Sequence, residues 1–286
     1  MLLPFFTYDN NCSQFLSHLL PLFDLGIYVD QSKVVYLEKI SEEEYGKVLC
    51  YPKYDLTELK NRVYELNRLG VKALEFVGDK SVSNLSVLGK GCVGIVVVAY
   101  TEKEKVALKI RRLDADRSGM QHEAEMLRKA NTANTGPKLL GTSKNFLLME
   151  FIKGPLLFQW ISTQKGRGAK SRIRKVLRDI LEQCWRLDMI GLDHGELSKA
   201  PKHIIVDEID KPHIVDFETA SVNRKVSNVT SICQYLFIGS EVAKVVKKRI
   251  GYVAQDLLIE SLKNYKRQGN RQNFESILRI CKLYDV

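Results

Sequence analysis

Residues 88–109 read LGKGCVGIVVVAYTEKEKVALK, in which three glycines precede two runs rich in β-branched residues. Gly89, Gly91 and Gly94 fit the pattern G-x-G-x-x-G, which dinucleotide-binding folds share. In those folds the glycines open a helix, whereas residues 95–100 (IVVVAY) favour a strand. The stretch therefore predicts a strand, a glycine turn and a second strand.

The same stretch predicts a phosphate-binding site. Glycines lack a Cβ, so backbone amides can close over phosphate groups, and Lys109 offers a positive charge to their oxygens. Residues 89–96 and 106–109 (VALK) resemble the two signatures of the protein-kinase nucleotide lobe, G-x-G-x-x-G-x-V and V-A-I-K. The alternative is a glycine-rich hairpin beside a surface lysine.

A helix is predicted over residues 118–130, and Glu123 lies on its apolar face with Met120 and Leu127. In kinases a helix glutamate pairs with the strand lysine and orients it toward the phosphates. The resemblance therefore implies that Glu123 is buried beside Lys109. The alternative is an ordinary surface glutamate.

Residues 146–152 (FLLMEFI) predict an apolar strand that resembles the kinase hinge. By that resemblance Met149 lies at the back of the adenine pocket, and the backbones of Glu150 and Ile152 hydrogen-bond the adenine. Taken alone, the run fits any core strand. The residues assigned to ATP binding are Gly89, Lys90, Gly91, Gly94, Val96, Ala107, Lys109, Met149, Glu150 and Ile152.

Residues 191–198 (GLDHGELS) resemble the H-G-D-L-S catalytic loop of RIO-type kinases, with Glu196 in place of the aspartate that faces the acceptor. Residues 202–206 (KHIIV) resemble the segment N-I-L-V, whose asparagine binds a second metal. Here His203 replaces that asparagine, and roughly two extra residues precede it. Because magnesium prefers oxygen ligands, a histidine at this position favours manganese.

Residues 213–218 (HIVDFE) resemble the D-F-G segment, which implies that Asp216 binds magnesium. Glu218 replaces the glycine, so the usual flip of this segment is not expected. No A-P-E segment follows, and a long phosphorylated activation loop is therefore not predicted.

Together, residues 81–240 resemble the atypical protein kinases of the RIO type and the KEOPS-associated kinase, which are small and found in archaea. The resemblance implies an α+β, protein kinase-like bilobal fold. Its antiparallel β-rich N-lobe would cover residues 81–152, and its compact helical C-lobe residues 153–286. Residues 1–80 do not fit the kinase pattern and predict a small accessory α+β module.

The best-defined element of the accessory module is a helix over residues 55–70. Asp55 is suited to cap its N-terminus, Leu59 and Leu66 share one face, and Gly70 ends it. The helices predicted after residue 153 cover residues 172–189, 226–248 and 274–283.

Composition and charge set further expectations. The chain has 286 residues, of which 45% are hydrophobic, and no apolar run approaches the roughly 18 residues that span a membrane. The N-terminus has no basic residue before Lys33, which is not typical of a secretory signal. Six cysteines lack a C-x-x-C pair and are expected to be reduced packing residues. We therefore expect a cytoplasmic protein without a membrane partner.

The net charge of +10 is concentrated in residues 165–178 (KGRGAKSRIRKVLR). This segment predicts a surface that binds RNA or a ribonucleoprotein. The alternative interpretation is that it forms the solvent-exposed start of a helix. RIO-type and KEOPS-associated kinases work in ribosomal or tRNA-processing assemblies, which favours the first interpretation. The basic residues are Lys165, Arg167, Lys170, Arg172, Arg174, Lys175 and Arg178.

The leading functional hypothesis is a serine/threonine protein kinase that uses ATP and Mg²⁺ or Mn²⁺, with autophosphorylation or ATP hydrolysis as variants. Glu196, Lys109 and Glu123 would be catalytic, and Asp216 and His203 would bind metal. The alternative is an ATP-binding pseudokinase scaffold in an RNA–protein assembly. A small-molecule kinase is the third hypothesis, disfavoured because the chain after residue 218 is short for an acceptor-binding region.

Overall fold

A computed structural model describes residues 33–40 and 43–284, which form an α+β structure around an antiparallel sheet. Residues 1–32, which belong to the predicted accessory module, lie outside the described residues. The strands are β1 (Lys33–Tyr36), β2 (Val71–Phe76), β3 (Lys80–Val82), β4 (Leu85–Val87), β5 (Gly89–Lys90), β6 (Gly94–Thr101), β7 (Lys105–Arg111), β8 (Leu139–Thr142), β9 (Phe146–Glu150), β10 (Ile204–Val206) and β11 (Pro212–Ile214). The α-helices are α1 (Glu43–Leu49), α2 (Leu56–Arg68), α3 (Arg117–Thr132), α4 (Leu157–Thr163), α5 (Ala169–Met189), α6 (Asn228–Cys233), α7 (Glu241–Ile250), α8 (Gln255–Arg267) and α9 (Arg271–Ile280).

The main sheet has seven strands in the order β1-β2-β6-β7-β9-β8, and β5 pairs with β6 beside this path. The glycine stretch forms the β5–β6 hairpin, in which Gly89 pairs with Val96 and the Gly91 amide donates to the Gly94 carbonyl at 2.8 Å. No helix follows the glycines, so the predicted order of strand, glycine turn and strand is confirmed.

Residues 33–80 contribute strands β1 and β2 to this same sheet, since β2 pairs with β6. Val35 and Leu74 lie in one hydrophobic cluster with Leu108 of β7. The predicted boundary at residue 80 falls inside β3, whose Val82 lies in this same cluster. The described part of the predicted accessory module extends the sheet that carries the glycine hairpin.

Helix α2 confirms the predicted helix in this region. The Asp55 side chain accepts from the Glu58 amide at 2.7 Å, Leu59 and Leu66 are buried, and Gly70 follows the helix with a φ of 77°. A left-handed backbone is easily adopted by glycine, which explains why the helix stops there.

A buried polar network fastens α2 to the end of β7. Arg62 is fully buried and donates to the Arg111 carbonyl at 2.6 Å and to Asn145 Oδ1 at 3.2 Å. Arg111 donates to the same amide oxygen at 2.7 Å, while Asn145 Nδ2 donates to Glu65 Oε1 at 2.6 Å. Buried charges are tolerated only when their hydrogen bonds are satisfied. The Asn145 amide contacts all three charged side chains of this network, those of Arg62, Arg111 and Glu65.

The helical part has its own hydrophobic cluster, which runs along α5 through Ile173, Val176 and Ile180. The single helix predicted over residues 226–248 is wrong: α6 continues into a π-helical turn (Gln234–Ile238), and α7 starts at an angle of 71°. The break occurs because the Ser240 hydroxyl caps a new helix, accepting from the Ala243 amide at 2.9 Å. Helix α8 was not predicted.

Within the described residues, no single helix is long and apolar enough to cross a membrane, and the bent pair 228–238 and 241–250 meets that test only when taken together.

We expect Asn145→Ala to lower the free energy of unfolding by about 3 kcal/mol, because two buried guanidinium groups and one carboxylate lose their shared partner. Urea denaturation followed by circular dichroism would measure the change. The control is Asn223→Ala at an exposed site, where the loss should stay within about 0.5 kcal/mol. Equal effects of the two substitutions would show that the network does not stabilise the fold.

Candidate active site

Lys109 lies under the glycine hairpin and is only 5% exposed. In the β6–β7 register Lys109 is opposite Val96, and Gly94 is opposite Arg111. A Cβ on Gly94 would lie 3.0 Å from the Lys109 side chain and 3.0 Å from the Ile110 carbonyl. The third glycine of the motif therefore makes room for the lysine stem.

Three carboxylates surround the Lys109 ammonium group. Its Nζ lies 2.7 Å from Glu123 Oε2, 2.8 Å from Glu218 Oε2 and 3.4 Å from Asp216 Oδ1. The predicted pairing of Lys109 with Glu123 is thus present. Burial alone would lower the pKa of Lys109, but the charges of Glu123, Asp216 and Glu218 outweigh it and raise that pKa above its ordinary value. The lysine is a charged group held by acidic partners.

Helix α3 carries Glu123 into the protein interior, because the inward face of this helix is apolar. Met120, Leu127 and Ala130 are buried on that face, and Glu123 is 2% exposed among them, whereas Glu125 is exposed. The predicted helical phase is confirmed. A carboxylate at this depth needs a cationic partner, and Lys109 supplies it.

The β10–β11 hairpin brings His203 and Asp216 together, since His203 precedes β10 and Asp216 follows β11. The Val215 amide donates to the His203 carbonyl at 2.9 Å. His203 Nε2 lies 3.0 Å from Glu196 Oε2, and His203 Nδ1 lies 3.7 Å from Asp216 Oδ2. One ligand atom from each of Glu196, His203 and Asp216 lies within 4.8 Å of the others, a spacing that can hold a metal ion.

Asp216 links the two groups of side chains. Its Oδ1 faces Lys109 and its Oδ2 faces His203. Burial would raise the pKa of Asp216, but the nearby Lys109 ammonium group, and then the His203 ring, hold that pKa below its ordinary value. Asp216 also has a φ of 69°, a backbone conformation that is uncommon for residues other than glycine and is concentrated at functional sites.

The loop that carries Glu196 is held from behind by buried polar groups. The His194 amide donates to Asn228 Oδ1 at 2.8 Å, and Asn228 Nδ2 donates to Asp188 Oδ1 at 2.8 Å. Thr219 Oγ1 donates to the His194 carbonyl at 3.0 Å. Asp188 and Asn228 were missed in the sequence. The available signal was an aspartate on the buried face of α5, next to Leu187.

The predicted adenine-binding residues fall at the end of β9. Met149 pairs with Ala107, so both lie near Lys109 on the sheet. The Glu150 amide already donates to the Lys138 carbonyl at 2.9 Å, and β9 ends there. Ile152 lies two residues beyond the strand. The strand predicted to residue 152 is therefore shorter, and the proposed adenine contacts remain predictions.

Glu218 belongs to the lysine–carboxylate cluster, which the sequence did not reveal. The motif comparison marked it only as a lost glycine, yet its carboxylate is one of the two closest partners of Lys109. The signal that existed was a second acidic side chain two residues after Asp216. A second group with metal-ligand spacing contains Glu123, Asp216 and Glu218.

The basic segment begins before α5 and continues along its first turns. Arg172 lies 3.6 Å from Asp210, and Lys175 lies 2.9 Å from Asp179, so both have acidic neighbours. RNA binding by this segment stays a prediction. Its exposed members are Lys165, Arg167, Lys170, Arg172 and Lys175, and its half-buried members are Arg174 and Arg178.

The described residues thus define an α+β protein with a buried lysine–carboxylate cluster between a glycine hairpin and a histidine–carboxylate group. No protein-family model matches the chain. An uncharacterized protein of Methanocaldococcus jannaschii is 27% identical over 121 residues, which make up 42% of this chain and 99% of that protein. This similarity identifies a relative without naming an activity.

The buried His194 gives a prediction for pH dependence. Burial, with a further contribution from His203, lowers the pKa of His194 from 6.5 to about 4, so the folded protein keeps this imidazole neutral. The unfolded chain takes up the proton below about pH 6.5, and stability is therefore present above that pH and is lost between pH 6.5 and 4. His194→Gln should reduce the loss between pH 7 and pH 5 by about 2 kcal/mol.

Urea denaturation of wild type and His194→Gln at pH 7 and pH 5 would measure this difference. The exposed His122→Gln serves as the control with the same chemical change. If wild type and His194→Gln lose equal stability on acidification, the low pKa of His194 is contradicted.

Proposed function

We propose that this protein is an atypical protein kinase that uses ATP and a divalent metal, Mg²⁺ or Mn²⁺, to phosphorylate a serine or threonine hydroxyl of a protein. The fold that goes with this proposal is the bilobal kinase-like fold, with the sheet as N-lobe and the helical part as C-lobe. Autophosphorylation and ATP hydrolysis are variants of the same reaction.

The observation that carries the proposal is the buried Lys109–Glu123 pair beneath the glycine hairpin, with Asp216 on its other side. Phosphoryl transfer needs little covalent help from the protein, because positioning and charge neutralisation supply most of the catalysis. A strand lysine fixed by a helix glutamate, next to a carboxylate that can hold a metal, supplies these two elements in one place.

The roles follow from position. Gly89, Gly91 and Gly94 would let the hairpin backbone approach the phosphates, and Lys109 would neutralise their charge. Asp216 would hold the metal, which supplies further neutralisation of the transferred phosphoryl group.

Glu196 has a side chain that is 44% exposed, so an acceptor hydroxyl can reach its carboxylate. It would orient that hydroxyl for attack on the γ-phosphate. The alternative function is an ATP-binding scaffold without phosphoryl transfer. The observation in favour of the scaffold is that Glu218 already pairs with the Lys109 ammonium group, which the phosphates of ATP would otherwise contact.

Lys109→Met is expected to lower the rate of phosphoryl transfer by about 100-fold, because one preorganised charge is lost. Purified protein incubated with labelled ATP, in Mg²⁺ and in Mn²⁺, would give the rate, and circular dichroism would check folding. Lys105→Met is the matched control on the same strand, where the lysine is 38% exposed and pairs with Glu75.

Asp216→Asn gives a second test on a carboxylate whose side chain is 43% exposed. Equal phosphoryl transfer by wild type, Lys109→Met and Asp216→Asn would exclude catalysis at this site. ATP binding without transfer in the wild type would favour the scaffold.

Glu218→Ala should strengthen metal-free binding of a fluorescent ATP analogue by about tenfold, since it frees one charge-assisted hydrogen bond of Lys109 for a phosphate. Fluorescence titration in EDTA would measure the dissociation constants. The control Glu208→Ala changes the net charge equally at an exposed pair with Lys153. The same affinity in both variants would show that Glu218 does not compete with the nucleotide.

A further inference from the structure

The turn of the glycine hairpin, residues 91–94, is bonded to Arg112, which directly follows β7. The Arg112 amide donates to the Val93 carbonyl at 2.9 Å, and its Nη1 donates to the Gly91 carbonyl at 3.0 Å. Asp114 holds the rest of the guanidinium group, because its two oxygens accept from Nε at 2.9 Å and from Nη2 at 2.6 Å. One residue thus fixes two carbonyl groups of the turn.

Tyr51 connects this contact to the part of the chain that precedes the kinase-like residues. It lies between α1 and α2, is half-buried, and packs against the hydrophobic cluster of the sheet. Its carbonyl accepts from the Leu113 amide at 2.8 Å. The centre of its ring lies 5.0 Å from Arg112 Cζ and 4.6 Å from Lys90 Nζ. A cation within about 6 Å of an aromatic centre is attracted to the ring. Tyr51 therefore holds one cation from each side of the turn.

The contacts with Arg112 also decide which way the amides of the turn point. A trans peptide group directs its carbonyl and its N–H to opposite sides. The bonded Gly91 carbonyl therefore turns the Cys92 N–H away from the guanidinium group, and the bonded Val93 carbonyl turns the Gly94 N–H away from the Arg112 amide. Successive backbone amides in a turn are groups that can hold phosphate oxygens.

A turn that is ordered before the nucleotide arrives favours binding. Glycine loses more conformational freedom on ordering than any other residue, so a glycine-rich turn is costly to fix in one conformation. When the protein has already fixed the turn, binding no longer includes that cost. Arg112 and Tyr51 supply the fixing contacts from outside the hairpin.

We propose that Arg112 and Tyr51 are positioning residues that hold the glycine turn in the conformation that accepts phosphates. Tyr51 lies outside residues 81–240, so this contact gives the preceding part of the chain a role in nucleotide binding. The proposal rests on the proposed function for the identity of the ligand, whereas the holding of the turn needs no nucleotide.

Hydrogen–deuterium exchange of the full chain without nucleotide tests whether the turn is held. Tyr51→Leu should speed exchange in residues 89–96 about fivefold, because two contacts between a cation and the ring are lost. Residues 146–150 of β9 should exchange as in the wild type. Tyr51→Phe keeps the ring and should restore slow exchange. Tyr64→Leu, at a tyrosine of α2 that is 65% exposed, is the control with the same chemical change.

Titration with a fluorescent ATP analogue and Mg²⁺ tests whether the held turn matters for binding. Tyr51→Leu should raise the dissociation constant about threefold, because the turn spends less time in the competent conformation. This substitution leaves the net charge unchanged, so weaker binding cannot come from a lost charge. Tyr51→Phe and Tyr64→Leu should bind as the wild type does.

Unchanged exchange or unchanged affinity in Tyr51→Leu overturns the proposal, and so does a Tyr51→Phe protein that behaves like Tyr51→Leu. Equal acceleration in residues 146–150 also overturns it, because Tyr51 would then stabilise the whole sheet and not the turn. Should Tyr51→Leu fail to fold, Arg112→Gln is judged by the same criteria. Its control is Arg68→Gln, at an exposed arginine of α2.

The outcome is separable from that of the proposed function. If the wild type binds no ATP analogue, the proposed function fails and the role in nucleotide binding fails with it, while exchange still decides whether Tyr51 holds the turn. Phosphoryl transfer by a protein whose turn does not respond to Tyr51→Leu argues against the positioning residues alone.

Discussion

Lys109 carries a positive charge at a depth where water scarcely reaches it, and a buried charge is stable only with partners of opposite sign. The resulting ion cluster draws on three separate parts of the chain: β7 holds the lysine, α3 holds Glu123, and the segment after β11 holds Asp216 and Glu218. Leu108 and Ile110, which flank the lysine, lie in one hydrophobic cluster. The α3 face lies in the other cluster, so the ion cluster joins the two cores.

Asp216 has a second function in this arrangement, because its two oxygens face different partners. One oxygen balances the lysine, while the other faces the ring of His203. The positive φ of Asp216 is part of this geometry, since it turns the chain two residues after the end of β11. Phe217, which is fully buried and packs against His194, holds that turn in place. Strain at one backbone position is thus maintained by packing at the next.

The predictable parts were those with a local cause. The glycine hairpin followed from β-branched residues after the glycines, and the burial of Glu123 followed from the helical phase of Met120 and Leu127. The helix predicted over residues 226–248 failed because apolar periodicity continues through the break. The Ser240 cap that ends it was a weaker signal. The metal-binding and catalytic roles rest on motif resemblance and belong to the proposed function.

By itself, the sequence determined most local elements and the order of the candidate site residues, because backbone propensity and side-chain periodicity act over a few residues. Only the tertiary structure decided which charges meet. Glu218 contacts Lys109 across 109 residues, and Asn145 meets Arg62 across 83. The orientation of His203 between Glu196 and Asp216 likewise depends on how two loops approach each other. Such pairings are set by the packing of whole elements, which decides which side chains lie opposite each buried charge.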